Sequence, residues 1–344
     1  MLVILVPLTN ARGKAMYFID WVRLAAIAFL IGFAFRGLAV EKSEKITDSW
    51  TDDFRTFYSD GKIDYGNIDD SYKSDLVIYL AGDQFMVVED LMKDFQKKNP
   101  DIKKIYVETI PPGQIFKQQI LKQGKVEGKN TAQNPDLFAS VHLDLLEILA
   151  SKEMMHDYMI YIHNKLELMV ARGNPKKIKG IKDLGRDDLV QSHPNQLTEG
   201  IFNYYAAEML KDLKLYDKIT SGKQCKNCWA VEGKTWFTER NHQDTPLRIE
   251  NGKADVGIVW STEVVFAKSK GRAVDGVSIE APYHMADKVN YVIGALKTGK
   301  QPYNALRYLA YLTTDAAQNI YAKYGFIKAK PEEMIFRPLR RVKN

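Results

Sequence analysis

Cysteine is nearly absent: the chain holds two among 344 residues, Cys225 and Cys228, within "CKNCW". One close pair does not staple a fold of this size. The c-type haem attachment is excluded because no histidine follows, and two ligands leave a tetrahedral zinc site half filled. A local disulfide is the plain interpretation, and a redox or metal role for the pair is the alternative. Enzyme signatures are missing as well: HExxH, GxSxG, GxGxxG and a glycine-rich phosphate loop do not occur, which removes the zincin, hydrolase, dinucleotide-binding and P-loop readings. No repeat of 20–50 residues is visible, so solenoids and propellers are excluded. The net charge of +6 is also less than it looks, because half of it belongs to the first 39 residues, through Arg12, Lys14, Arg23 and Arg36 against Asp20. The remainder gives no argument for a nucleic-acid partner.

What is present begins with the apolar run "LAAIAFLIGFAF" at 24–35, preceded by basic residues and followed by the small residues "GLA". It is shorter than the ~20 apolar residues that span a bilayer and has the anatomy of a secretory signal over 1–39, with Met16 as an alternative start to Met1. Export follows, and a membrane anchor is the competing interpretation. With 45% apolar and 27% charged residues the chain can bury a full core in two lobes. Residues 40–74 read as an N-terminal extension with "DDFRTFY" as one short helix, and a tail occupies 336–344.

From Asp75 the pattern alternates: strand 75–81, helix 85–98, strand 103–109, helix 114–123, strand 136–140, helix 142–151. Such alternation predicts a parallel sheet covered by helices. In the first helix Phe85, Val88, Leu91, Met92 and Phe95 form an apolar face, with Lys93, Gln96 and Lys97 opposite. A second set follows: strand 164–173, a helix capped by Thr198, a helix with Thr245 as N-cap and Pro246 at its first position, strand 254–260, and a helix capped by "STE". The expected division is 75–163 and 282–335 for lobe 1 and 164–281 for lobe 2, with an insertion at about 221–244.

The six histidines, at 142, 156, 163, 193, 242 and 284, are scattered; His142 and His242 lie closest to candidate site segments. The informative features are strand ends opening into helix starts: "AGDQ", "PPGQ", "FASVH", "LTEG", "QDTP" and "VWST". In open α/β sheets ligands sit at the carboxyl ends of strands, where unpaired N–H groups of first helical turns converge. Each junction alone is an ordinary cap; six of them shared between two lobes make a binding cleft.

Taken in order, "DLVIYLAGDQFMVVEDLMKDFQKKNPDIK", "PPGQIFKQQI", "NPDLFAS", "NKLELMVARGNPKKIKGIKDL", "IENGKADVGIVW" and "AQNIYAKYGF" resemble the periplasmic molybdate-binding proteins and their wider family of extracellular solute-binding proteins, over about 75–327. The resemblance implies an α/β, two-lobed type II periplasmic-binding-protein architecture, each lobe a mostly parallel sheet flanked by helices, with the ligand cleft between lobes. It also implies hinge strands near 160–170 and 278–293, no catalysis, no cofactor, an extracytoplasmic location, and an ABC importer as partner. Carried over by position, the family's ligand groups fall on Asp83 or Gln84, Gly113 and Gln114, Thr198, Glu199 and Gly200, Thr245, and Trp260. With the junction residues Gly82, Ser140 and Ser261 these form the candidate ligand set.

Two expected serines are missing, and Trp260 stands where the family has tyrosine. A carboxylate beside a dianion repels it, more strongly in a desolvated cleft. Asp83 and Glu199 therefore argue against an unmodified oxyanion site of the molybdate or tungstate type. The acids point away, or one is protonated, or the solute is neutral or cationic. Two other functions compete with a solute receptor: an exported redox or metal-handling accessory working through Cys225, Cys228, Trp229, Trp236 and His242, and a membrane-tethered sensory module.

Overall fold

A run such as "LVIY" at Leu76–Tyr79 is apolar at every position, so both faces of the strand it forms must be covered. The computed structural model shows how: Leu76 and Ile78 enter one hydrophobic cluster, Val77 and Tyr79 another on the opposite face of the sheet. The structure describes residues 53–120, 125–126, 129–130, 134–239 and 244–341, besides a short ladder of Leu8–Thr9 with Ala15–Met16. The apolar run at 24–35, His242 and the end of the C-terminal tail lie outside the described residues. Among the described residues no helix is long and apolar enough to cross a membrane.

Residues 50–344 form one unit built on two sheets. The first runs in the order Ile327–Lys328, Asp157–His163, Asn290–Ala295, Leu137–Ser140, Leu76–Tyr79, Lys104–Glu108, Phe54–Tyr58, Ile63–Tyr65. Leu76–Tyr79 pairs in parallel with both its neighbours, and antiparallel pairs flank this centre. The second runs Cys228–Val231, Thr235–Phe237, Gln191–His193, Val256–Trp260, Leu166–Ala171, Val274–Ser278, again with a parallel centre at Gln191–His193. The chain passes between sheets at Asn164–Lys165 and returns between Ser278 and Asn290.

Several local expectations change. "DDFRTFY" is not a helix, and its residues do not precede the fold. Phe54–Tyr58 pairs with Lys104–Glu108, and Ile63–Tyr65 completes the edge. Phe54 and Phe57, three apart, point to opposite faces of the strand, and each joins a different cluster. The helix expected from residue 85 is a 3-10 turn, Gly82–Gln84, followed by an α-helix at Val88–Lys98. Gln96 is buried, its amide donating to the carbonyls of Phe57 and Ile102 at 3.3 Å each, so it does not share the solvent face with Lys93 and Lys97. Asn195, not Thr198, caps the turn before Ile201: its Oδ1 accepts from the N–H groups of Leu197 and Thr198 at 3.0 and 3.1 Å. Residues 221–239 extend the second sheet, with Cys225 and Cys228 bonded to each other at its margin.

Candidate functional site

The parallel strand ends of the two sheets face one another across the crossing at Asn164, and a small cavity of about 20 Å³ lies there. From the first lobe its wall is Gly82, Asp83, Pro111, Pro112 and Val141; from the second it is Glu199, Gly200, Ile201 and Trp260. An adjoining cavity of about 100 Å³ is lined by residues that include Gly113, Ser140, Thr198 and Lys117. A larger groove of about 690 Å³ runs between the edge hairpin and the helix Val88–Lys98, within the first lobe, and the strand-end junctions do not reach it.

The lobes are in contact around the site. A methyl group added at Gly200 would stand 3.0 Å from Val141 Cγ2, and one at Gly113 3.6 Å from the Thr198 carbonyl. Tyr205 donates its hydroxyl to the Val141 carbonyl, and His142 stacks on Tyr204 with ring centroids 4.1 Å apart. Elsewhere along the lobe boundary, Phe85 meets Phe266 edge-on at 5.0 Å.

Asp83 follows from the turn geometry. The 3-10 turn begins directly after the buried strand, so its second residue is fully enclosed instead of standing at an exposed helix mouth, and its carboxylate makes no cap. It accepts from the Tyr291 hydroxyl and, at 3.4 Å, from the Asn164 amide. Burial nevertheless dominates and pushes the carboxyl up to about 7, against those two hydrogen bonds. Glu199 mirrors it from the other lobe. It accepts from the Thr238 hydroxyl and from Asn195 N and Nδ2 at 3.1 and 3.3 Å, and burial pushes it, too, up to about 7. Glu263, third in the helix Ser261–Ser269, accepts from Trp260 N at 3.1 Å and so reaches back to the residue before the helix; burial first, then the Asp83 charge, holds it well above the usual carboxyl range.

Asn164 joins the lobes. Its Nδ2 also reaches Tyr291 Oη at 3.2 Å and Thr262 Oγ1 at 3.1 Å, while its Oδ1 accepts from Ser261 Oγ at 3.1 Å and from Lys165 N at 2.9 Å. A fully buried amide shared by first-lobe and second-lobe partners fixes how the lobes meet at the crossing.

Of the twelve candidate ligand residues, Gly82, Asp83, Glu199, Gly200 and Trp260 line the inner cavity, and Gly113, Ser140 and Thr198 line the adjoining one. The others are placed differently. Gln84 lies in the first-lobe core, donating to Tyr161 Oη at 2.7 Å and accepting from Tyr321 Oη at 2.8 Å. Thr245 is fully buried, its hydroxyl 3.1 Å from Ser192 Oγ, and holds the helix Asp244–Glu250 to the second sheet. Ser261 serves Asn164, and Gln114 is buried without lining either cavity. His193, buried on the second sheet, is pushed down to about 3 and stays neutral between Gln191 and the Ile258 N–H. Among the described residues no three His, Cys, Asp or Glu side chains come together as a metal site.

Sequence reasoning reached the hinge strands near 160–170 and 278–293 and the junctions "PPGQ" and "FASVH", but it did not single out Asn164, Tyr291, Val141, Pro111 or Pro112 within them. Asn164 had a signal: a lone amide between "YMIYIH" and "KLELMV", where two strand patterns abut.

Comparison with known proteins agrees with this architecture. The family model described as bacterial extracellular solute-binding protein matches residues 76–327. A Bacillus subtilis (strain 168) protein named as an ABC transporter substrate-binding lipoprotein, YvgL, is 24% identical over 261 residues, covering 75% of this chain and 88% of its own. The periplasmic molybdate-binding protein of Azotobacter vinelandii superposes with a TM-score of 0.58 at 17% identity, over 74% of this chain and all of that one. Iron-bound HitA of Pseudomonas aeruginosa does so with a TM-score of 0.54 at 16% identity, over 75% of this chain and 91% of that one. One fold thus serves an oxyanion in one protein and a metal cation in another, so the charge of a solute is decided by the wall and not by the architecture.

Proposed function

The chain belongs to the bacterial extracellular solute-binding proteins, and from that premise we propose that it is an exported, non-enzymatic receptor that closes its lobes on a small polar solute and hands it to the membrane subunits of an ABC importer. The observation that carries this reading is the cavity at the lobe junction, walled by strand-end residues from both sheets and containing a buried carboxyl from each lobe. Groups so placed are separated when the lobes part and are brought together when they close, which is how a cleft couples binding to shape. The lobes proposed here meet at Asn164–Lys165 and between Ser278 and Asn290.

The importer partner and the extracytoplasmic location rest on the family and on the name of the Bacillus relative. An oxyanion of the molybdate or tungstate type fits the fold but not this wall, where hydroxyl side chains are missing at 83–84 and 113–114 and the carboxyls of Asp83 and Glu199 are added. The redox-accessory alternative has no support in the geometry, since the bonded Cys225–Cys228 pair lies at the sheet margin and among the described residues no third metal-ligating group joins it.

A thermal-shift panel of anionic, neutral and cationic small solutes tests the receptor reading. One solute class is expected to raise the melting temperature in proportion to the logarithm of its concentration. A broad panel with no stabilising solute would count against it.

A further inference from the structure

The inner wall has an unusual charge balance for an anion site. Its residues include Asp83 from one lobe, its carboxyl bonded to Tyr291 and Asn164, and Glu199 from the other, its carboxyl bonded to Thr238 and Asn195; the rest is glycine, proline, aliphatic side chains and the indole of Trp260. The described inner wall contains no lysine, arginine or histidine; Lys117 lies on the adjoining cavity, which shares Pro112, Val141 and Gly200 with it. The charged groups around the two acids do not redress this. Asp83 faces the Tyr291 hydroxyl and the Asn164 amide, with the Tyr161, Tyr205 and Tyr321 hydroxyls and the Glu263 carboxyl in electrostatic range. Glu199 faces Thr238 and Asn195, with Asp244, Glu263, Lys226 and Arg248 in range. Arg248 is engaged elsewhere: it donates to Ser192 Oγ at 3.1 Å and lies 4.7 Å from the Trp236 ring centre.

Resting on the receptor reading, we propose that the solute presents a positively charged group, an ammonium or a metal cation, to Asp83 and Glu199 as the lobes close, and that this pair rejects dianionic oxyanions. A cation between carboxyls from opposite lobes is held by both only in the closed form, and an indole wall favours a cation over an anion. A dianion entering the same enclosure meets two groups of its own sign in a medium where repulsion is several-fold stronger than in water.

The sign of the pH dependence distinguishes the cases. Both carboxyls titrate near neutrality in the buried site. A cation favours their ionised forms, so binding releases protons and tightens as pH rises. For each carboxyl titrating near 7 the ionised fraction falls on the order of tenfold from pH 7.5 to pH 6, so affinity for a cation held by both falls on the order of a hundredfold. An anion would take up protons and show the opposite slope.

The experiment is isothermal titration of the whole protein at pH 7.5 and 6.0. The arms are sodium molybdate and sulfate; choline, ethanolamine and putrescine; calcium, manganese and ferric salts; and neutral sugars. Binding in the ammonium or the metal arm is expected, which also separates those two sources, weakening on the order of a hundredfold at pH 6.0. Glu199→Gln is expected to weaken it more than tenfold at pH 7.5 while unfolding stays cooperative. Binding of molybdate or sulfate, or of a sugar alone, would overturn the cation assignment and leave the receptor intact. Binding in no arm would count against the receptor reading itself. Because the wild-type panel decides the sign, the conclusion does not depend on how well Glu199→Gln folds.

Discussion

Asp83→Asn is expected to raise the stability of the solute-free protein at pH 8 and to lower it at pH 4. The reason is linkage. The Asp83 carboxyl, ordinarily near 3.8, is pushed to about 7 by burial in the folded chain. Between those two values the folded state keeps a proton that the unfolded state has lost, so stability is full at acid pH and declines as pH rises through 7. A shift of about 3 units corresponds to a loss on the order of 4 kcal/mol at pH 8. Asparagine cannot ionise, and its carbonyl still accepts from Tyr291 and Asn164. It must place an added NH₂ group in a buried setting, so the net gain is smaller, about 2 kcal/mol or roughly 5 °C at pH 8. Thermal unfolding of both proteins from pH 4 to pH 8 checks this. The variant should gain on the wild type by about 4 kcal/mol between pH 4 and pH 8; a constant difference, or one that moves the other way, would mean that Asp83 is not buried as an ionisable group.

Gly257→Ala is expected to be the most damaging single methyl added to the second lobe. Gly257 lies in the strand Val256–Trp260, and a Cβ there would stand 2.2 Å from the Ser192 carbonyl oxygen and 2.3 Å from Thr245 Cγ2. Neither is the loose end of a flexible side chain: one is backbone, and the other belongs to a buried threonine fixed by its hydroxyl to Ser192. The strand or the helix Asp244–Glu250 must shift, at a cost of about 3 kcal/mol or more. Chemical denaturation should show that loss, or the variant should fail to accumulate as folded protein. Gly113→Ala is the control. Its added carbon lies 3.6 Å from the nearest atom, an ordinary contact, so folding should be unaffected.

The fold was legible where periodicity had one interpretation. Helix Val88–Lys98 buries Leu91, Met92 and Phe95 as their spacing requires, and the all-apolar strands at 76–79 and 256–260 are central. The ordered resemblance carried the two-lobed architecture, which no single motif could. Misreading came where a local pattern fits two periods: Phe54 and Phe57 suit a helical face as well as opposite faces of a strand. The site was legible as a set of junctions and less so as side chains. A strand-end threonine looks alike whether it faces a cleft or a neighbouring strand, and only the register of Gln191–His193 against Val256 turns Thr245 toward Ser192. Asp83 could be recognised as an anomaly, but whether it capped a helix or faced the cavity depended on the 3-10 turn. Asn164 went unseen because its partners are far apart in sequence, at Asp83, Ser261, Thr262 and Tyr291.

The central claim is that the solute sits between the lobes at this junction. Amide hydrogen exchange of the whole protein, with and without a solute that stabilises it, tests that most directly. The expected result is concurrent protection of 82–84, 113–114 and 141–142 in one lobe and 198–201 and 260–263 in the other. Protection confined to one lobe, or centred on the groove between the edge hairpin and helix Val88–Lys98, would contradict it.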